Sequence, residues 1–503
     1  MLTALLNERF GYTSFRPGQK EVIEDVIKGH DVFAMLPTGS GKSICYLLAG
    51  YCREGLVVIV SPLLSLMDDQ VQNIRMHGET RVAALNSFLS KEEWYEVLDH
   101  LEQIKFLLLS PEMLQSHIVQ QKLRNRGVGL FTVDEAHCVS QWGYEFRPDY
   151  LKLKNIRQYL GHPPCLALTA TADPQVRADI IEKLGMEKGV QHVYSVDRPN
   201  ISLCVEEFQG TLQKQERMVE LALKLKGPGI IYFSSREWTE TATTLLQEQT
   251  PLRVAFYHGG MSGNERRLIQ MQFLNDELDI VCCTNAFGMG INKPNVRYVI
   301  HFHYPKHLNA YLQEIGRAGR DGLPSIALLL YTPEDHAFPM FFIEKEFPTE
   351  AQLSAVIDEY TFKRERDVVQ LAIEKGCSES AARFLKEQLQ TFGDNEEKKT
   401  IMQKLQELIT ERKRIKLNEH KKFLQWLQAS GCRREGLLRL FGEYLNHEVH
   451  ECCDHCQVHL QPYFTGSVTT TQRNESQANA SWLSRLEMLL SEKVGRGVNA
   501  EKS

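Results

Sequence analysis

Three short stretches hold residues whose types and spacing can do phosphate chemistry. LPTGSGKS at 36–43 sits where an apolar run gives way to a helical pattern. Glycines permit close approach, so the backbone N–H groups of Thr38, Gly39, Ser40 and Gly41 can wrap a phosphate. Lys42 then reaches the terminal phosphates and the Ser43 hydroxyl serves a magnesium ion. VDEAH at 133–137 closes another apolar run. Asp134 is suited to hold Mg²⁺, and Glu135 to orient and deprotonate a water. YLQEIGRAGRDG at 311–322 places Arg317 and Arg320 three residues apart, expected on one helix face, where they can neutralise charge developing on a γ-phosphoryl group. A strict phosphate-loop pattern has glycine at 36, where this chain has leucine.

A second cluster suits a metal. Cys432, Cys452, Cys453 and Cys456 offer four thiolates to a tetrahedral, structural Zn²⁺. The ending is an adjacent pair and then C-x-x-C, and His450 has a spacing to Cys453 and Cys456 that lets it replace Cys452. The other eight of the twelve cysteines are scattered and read as buried thiols of a reducing compartment.

The elements that must position these residues follow from hydrophobic periodicity. Strands are expected at 31–36, 56–60, 106–110, 129–135 and 165–170, with amphipathic helices between them; the rhythm restarts at 229–235, 253–259, 278–284 and 296–302. A repeated strand–helix alternation implies parallel sheets covered on both faces. The fold expected is α/β, a duplicated core with a boundary near VDRPN at 196–200. After about residue 343 the chain turns polar and helical, and DVVQLAIEKGCSESAARFLKEQL (367–389) has a helix–glycine–helix layout open to a helix-turn-helix or a plain hairpin. No apolar run reaches the roughly 20 residues that span a bilayer, and the N-terminus lacks a secretory pattern. The net charge of −6 argues only weakly against nucleic acid, because a large enzyme can confine its positive charge to a groove.

With these motifs in order, residues 4 to 460 resemble the RecQ helicases of superfamily 2. FGYTSFRPGQ (10–19) is similar to the family's adenine-recognition element, which implies Tyr12 and Arg16 around the base and Gln19 at its edge. VSPLLSLMDDQV (60–71), ALNS (84–87) and LLLSPEML (107–114) resemble backbone-contacting segments, implying DNA contacts at Ser61, Asn86 and Ser110 through small hydroxyls and exposed N–H groups. ALTATAD (167–173) resembles the motif linking hydrolysis to lobe movement. FSSR, YHGGM and CTNAFGMGINKPNVR imply DNA contacts at Arg236, His258 and Thr284, and a nucleotide border at Gly290 and Asn292, the latter where many members have Asp. HCVSQWGYEFRPDY (137–150) resembles the aromatic-rich loop that couples strand binding to hydrolysis, with Trp142 and Phe146 as stacking faces and Arg147 adding charge; Tyr144 and Glu145 stand where His and Asp are commoner.

The resemblance implies two tandem RecA-like parallel-sheet lobes, 1–196 and 197–343, then a helical insert at 344–412. A zinc-binding module at 413–460 and a linker with a short terminal helix at 461–503 complete the expected layout. The 47 residues after Cys456 are fewer than a winged helix and a terminal helical domain need, so the chain resembles the short bacterial form; segment 345–412 is expected to substitute in part. The activity implied is an ATP-dependent 3′→5′ DNA helicase of recombination and repair, with Gln313 helping position the γ-phosphate. Its cofactors are ATP, Mg²⁺ and Zn²⁺, and its partners single-stranded and duplex DNA. The compartment is the cytoplasm, at the nucleoid, with no membrane role. The alternatives are a strand-annealing ATPase with weak unwinding and, disfavoured by the aromatic loop and the cysteines, an RNA helicase.

Overall fold

Runs of apolar residues become strands here because a parallel sheet buries both of its faces. In the computed structural model, which describes residues 1–464 except 63, 87–88, 141–146, 288–292, 363–366, 390–391, 393–396 and 447, seven such runs form the first sheet. They are β1 Val32–Met35, β2 Leu56–Val60, β3 Val82–Leu85, β4 Phe106–Leu109, β5 Val128–Val133, β6 Cys165–Thr169 and β7 Val190–Val193. Their order is β3-β4-β2-β5-β6-β1-β7, parallel throughout. The period of two sends alternate side chains to opposite cores: Phe33 and Met35 join one, Val32 and Ala34 the other.

The second sheet holds β8 Ile201–Glu207, β9 Gly229–Tyr232, β10 Val254–Tyr257, β11 Ile280–Cys283, β12 Tyr298–His301 and β13 Ser325–Tyr331, in the order β10-β11-β9-β12-β13-β8. Counting from each lobe's first strand, this repeats the order 3-4-2-5-6-1 of the first sheet; the duplication expected from the sequence is present, with β7 added beyond β1. Strands β3, β7, β8 and β13 join those expected from the sequence.

Past β13 the described residues are helical. Helices Val368–Glu374 and Glu379–Leu389 meet at a turn where Gly376 has φ +81°. With Leu353, Val356 and Ile357 they form a separate small core. The expected boundary at 412/413 falls inside one 31-residue helix, Lys398–Gln428. Its first half supplies Ile401, Leu405 and Ile409 to the small core, and its second half supplies Phe423, Trp426 and Leu427 to the core of the second sheet. One helix serving two cores has no break for sequence to mark. No helix among the described residues is long and apolar enough to cross a membrane.

Candidate active site

Strand β1 delivers the phosphate loop. Leu36 continues the sheet, its N–H donating to Thr169 O at 3.0 Å, and is buried; the tight turn starts after it, so leucine is accommodated. Gly39 and Gly41 have φ of +80° and +77°, the left-handed region that glycine enters without cost from a Cβ. Helix Lys42–Tyr51 follows at once, presenting its N-terminal end to the loop. The loop's carbonyls are held from outside: Gln19 Nε2 donates to Ser40 O at 2.7 Å and Gly41 O at 3.1 Å, Arg16 donates to Gly39 O, and Arg198 Nη1 donates to Thr38 O at 2.9 Å. In a trans peptide C=O and N–H point opposite ways, so outward carbonyls turn N–H groups inward. With both Nε2 hydrogens engaged and Arg16 N–H on Oε1 at 2.9 Å, Gln19 keeps only a lone pair of Oε1 for an adenine edge.

The two acids stand at the end of β5. Asp134 is buried; Oδ1 accepts from Glu135 N–H at 2.9 Å and Oδ2 from Gln70 Nε2 at 3.2 Å. Burial, and then the neighbouring Glu135, push its carboxyl up to about 6 against the pull of Lys42. Glu135 has φ +47°, an uncommon conformation for a non-glycine residue and one that gathers at functional sites. His137 Nδ1 lies 3.0 Å from Thr169 Oγ1 and 3.4 Å from Glu135 Oε2, and Thr169 Oγ1 donates to Thr171 O at 3.1 Å. The acid pair is thereby tied to ALTATAD.

The arginines correct an expectation. Helix Leu308–Ile315 carries Gln313 but stops at Ile315, capped by Gly316 at φ −63° and ψ −3°; Arg317 and Arg320 lie in the turn beyond it, where Gly319 at φ +54° enters the left-handed region. Arg317 is buried. Burial, and then Arg317 and Arg198 beside it, push Arg320 down to about 9; gathered guanidinium groups of this kind suit a polyanion. One cavity of about 480 Å³ is lined by Tyr12, Arg16, Gln19, Thr38, Gly39, Gly41, Lys42, Ser43, Asp134, Glu135, Gln313, Arg317 and Arg320. Ser40 is buried behind the loop; Gly290 and Asn292 lie outside the described residues.

The sequence matches the DEAD/DEAH box helicase family over residues 16–180 and the helicase conserved C-terminal domain over 213–322. It is 43% identical over 498 residues to a probable ATP-dependent DNA helicase RecS of Bacillus subtilis, covering 97% of this chain and 98% of that one. The chain belongs to the RecQ family of ATP-dependent DNA helicases. It is also 41% identical to the ATP-dependent DNA helicase RecQ of Haemophilus influenzae, over 67% of this chain and 54% of that protein, so it spans about half the length of that longer RecQ relative. The fold is shared with the Mycobacterium smegmatis helicase Lhr bound to ssDNA and AMP-PNP (TM-score 0.56, 21% identity, 76% of this chain and 57% of that one).

The residues expected at DNA in this RecQ chain follow the carboxyl ends of strands, the edge at which open α/β sheets bind ligands. Ser61, Asn86 and Ser110 follow β2, β3 and β4, while Arg236 opens a helix after β9 and His258 and Thr284 follow β10 and β11. Exposed N–H groups were expected at the first three; instead all three residues are buried. Sheet hydrogen bonding extends past the strand ends, and Ser61 N–H donates to Leu109 O at 3.1 Å. Asn86 Nδ2 donates to Asp68 Oδ1 at 3.3 Å, and Ser110 Oγ accepts from Met113 N–H at 3.3 Å. Arg236 is exposed; His258 is buried, its Nε2 2.9 Å from Glu240 Oε1. Trp142 and Phe146 lie outside the described residues, and Arg147 Nη1 is 3.6 Å from Glu112 Oε1.

The sulfur atoms of Cys432, Cys452, Cys453 and Cys456 all lie within 4.8 Å of one another, two pairs at 3.6 and 3.9 Å. Four sulfurs about 2.3 Å from a tetrahedral zinc stand about 3.8 Å apart, so the donor set fits that ion. His450 has a side chain 94% exposed and is turned away from the cluster. Hydrogen bonding, first from the Cys452 thiol, holds Cys453 below the usual thiol range. Cys452 O accepts from Leu203 N–H at 3.1 Å, stitching the module to β8. Three contributors escaped the sequence reading. His137 and Gln70 stand inside quoted motifs, whereas Arg198 stood only as a boundary marker.

Proposed function

We propose that this RecQ-family enzyme hydrolyses Mg-ATP in the cavity between its two lobes to move 3′→5′ on single-stranded DNA and separate duplex. The observation that supports this most is that one cavity gathers Lys42, Ser43, Asp134 and Glu135 from the first lobe with Gln313, Arg317 and Arg320 from the second. Inward N–H groups of the loop and Lys42 bind the phosphates, and Ser43 and Asp134 hold magnesium. The bound ion neutralises phosphate charge. Glu135 orients the attacking water and takes its proton. Arg317 and Arg320 meet the negative charge that grows on the γ-phosphoryl oxygens, with Gln313 beside them. Tyr12 and Arg16 flank the base. Because the acids and arginines sit on different lobes, hydrolysis is tied to lobe closure, and closure shifts Arg236, His258 and Thr284 relative to Ser61, Asn86 and Ser110 along the strand. Trp142, Phe146 and Arg147 report the bound strand to the acids. Zinc on Cys432, Cys452, Cys453 and Cys456 is structural. Recombination and repair are the processes such unwinding serves.

The test is unwinding of a 3′-tailed DNA duplex with Mg-ATP, beside a 5′-tailed duplex and Lys42→Ala. Separation from the 3′ tail alone, lost in Lys42→Ala, is expected. Strong DNA-stimulated hydrolysis without separation from either tail would leave the strand-annealing alternative.

A further inference from the structure

The linker between the lobes carries an arginine, Arg198, whose two terminal nitrogens are committed to main-chain carbonyls of the ATP site, while its Nε donates to Asn200 Oδ1 at 3.4 Å. Arg198 Nη1 donates to Thr38 O at 2.9 Å in the phosphate loop and to Gly316 O at 3.1 Å in the arginine-bearing turn. Its Nη2 donates to Ala318 O at 3.1 Å and Gly319 O at 2.7 Å. Asn200 extends the grip, donating to Gly319 O at 2.9 Å and Leu323 O at 3.0 Å. Among the described residues no carboxylate forms an ion pair with Arg198, and burial pushes it down to about 10. A planar five-donor fork can satisfy such a fan of acceptors, which a single ammonium cannot.

Two consequences follow from this placement. Holding Thr38 O fixes the direction of Gly39 N–H, the far side of the same peptide plane. Holding Gly316, Ala318 and Gly319 brackets Arg317 and sets the turn that carries Arg320. The two halves are in contact already: a Cβ on Gly316 would lie 1.8 Å from Thr38 Oγ1, and one on Gly39 would lie 3.0 Å from Arg320 Cγ. The linker is itself braced from the cysteine module. Arg434, buried, pairs with Asp197 and donates to Arg198 O at 3.1 Å and Ile201 O at 2.5 Å.

We propose that Arg198 is a positioning residue for hydrolysis, a strap from the interlobe linker that holds the arginine-bearing turn in register with the phosphate loop. This rests on the reading of Arg317 as the residue that meets the γ-phosphoryl charge. The strap touches no reacting atom; it acts through Gly39 N–H and the turn.

The test compares Arg198→Ala, Arg198→Lys, Arg317→Ala and the Arg198→Ala/Arg317→Ala pair in single-turnover and steady-state ATP hydrolysis with saturating single-stranded DNA, alongside melting curves. Arg198→Ala is expected to lower kcat about tenfold while KM for ATP stays within about threefold. Arg198→Lys keeps the charge but not the fork and is expected to recover less than half of the loss; because it preserves bulk and charge, it also serves if the alanine variant folds poorly. In the double variant the alanine at 198 is expected to add no more than about twofold, because both act through one turn. Turnover within twofold of the parent in Arg198→Ala, or losses that multiply in the double variant, would overturn the proposal. Full turnover in Arg317→Ala would instead overturn the reading beneath it, whatever Arg198 does.

Discussion

The two lobes share a strand order and differ in what stands at matching strand ends. Beyond β1 come Thr38–Gly41 and helix Lys42–Tyr51; beyond the matching β8 come Phe208, Gln209 and Gly210 and helix Thr211–Lys224. Each helix has a lysine near its start. Lys42 has no carboxylate partner among the described residues and lines the cavity, whereas Lys214 is buried, 2.5 Å from Asp335 Oδ2 and 4.5 Å from the Phe302 ring centroid. Beyond β5 stand Asp134 and Glu135; beyond the matching β12 stand Phe302 and His303, whose imidazole burial pushes down to about 2 and so keeps neutral. One scaffold thus serves twice, once bringing acids and Lys42 to the cavity, once bringing Gln313, Arg317 and Arg320. Function lives in the loops grafted on a fold.

Breaking the acid side should have the largest effect. Glu135→Gln keeps shape and removes the proton acceptor, so hydrolysis should fall by about 10²–10⁴-fold while a fluorescent ATP analogue still binds. Retention of a tenth of parental turnover would place the base elsewhere. The matching lysines sharpen the comparison. Lys214→Met leaves Asp335 buried without its cation, so the chain should lose about 3–5 kcal/mol of stability in a denaturant titration, with turnover of the folded fraction within about threefold of the parent. Lys42→Ala should show the reverse, a normal melt and no hydrolysis. Similar behaviour of the two lysines would undo the distinction between the lobes.

The cysteine module tests whether the second lobe depends on its neighbour. Zinc measured by elemental analysis should be about one atom per parent chain, and less in Cys453→Ser. That variant should melt lower by about 1–2 °C, the shift expected for a loss of 1–2 kcal/mol in a chain of 503 residues, because Leu203 and Ile201 lose a rigid partner. An unchanged melt with zinc absent would show that packing alone holds the module.

The residues that the structure gathers were legible in sequence where side-chain types stand at short spacing. LPTGSGKS, VDEAH and the four cysteines each lie within a few residues or announce themselves by rarity, and buried strands such as LVVIV are apolar throughout. Ser325–Tyr331, SIALLLY, is as apolar and fully buried but was not among the expected strands. Nor was Val190–Val193: VQHV pairs only with β1, is half exposed and reads as polar loop. Helical spacing of Arg317 and Arg320 was a fair expectation that the turn through Gly319 overrode. Arg198 gave no signal, because its partners are backbone carbonyls 118 to 160 residues away, and carbonyls are common to every residue type.

The smallest effect separates two glycines of one turn. Gly319 (φ +54°) and Gly322 (φ +84°) both sit in the left-handed region, so alanine at either costs on the order of 1 kcal/mol of stability. Their surroundings differ. A Cβ at Gly322 meets nothing within 4 Å, whereas one at Gly319 would lie 2.4 Å from Asn200 Nδ2 and 2.7 Å from Ser325 Oγ. Gly319→Ala must therefore push the turn off Asn200 and loosen the carbonyl that Arg198 holds. Both variants should melt slightly low, on the order of 1 °C, but only Gly319→Ala should also lose about threefold in kcat, the modest cost of a displaced arginine. Equal kcat in the two variants, at equal melting temperature, would mean that the turn reaches its catalytic position without the linker's hold.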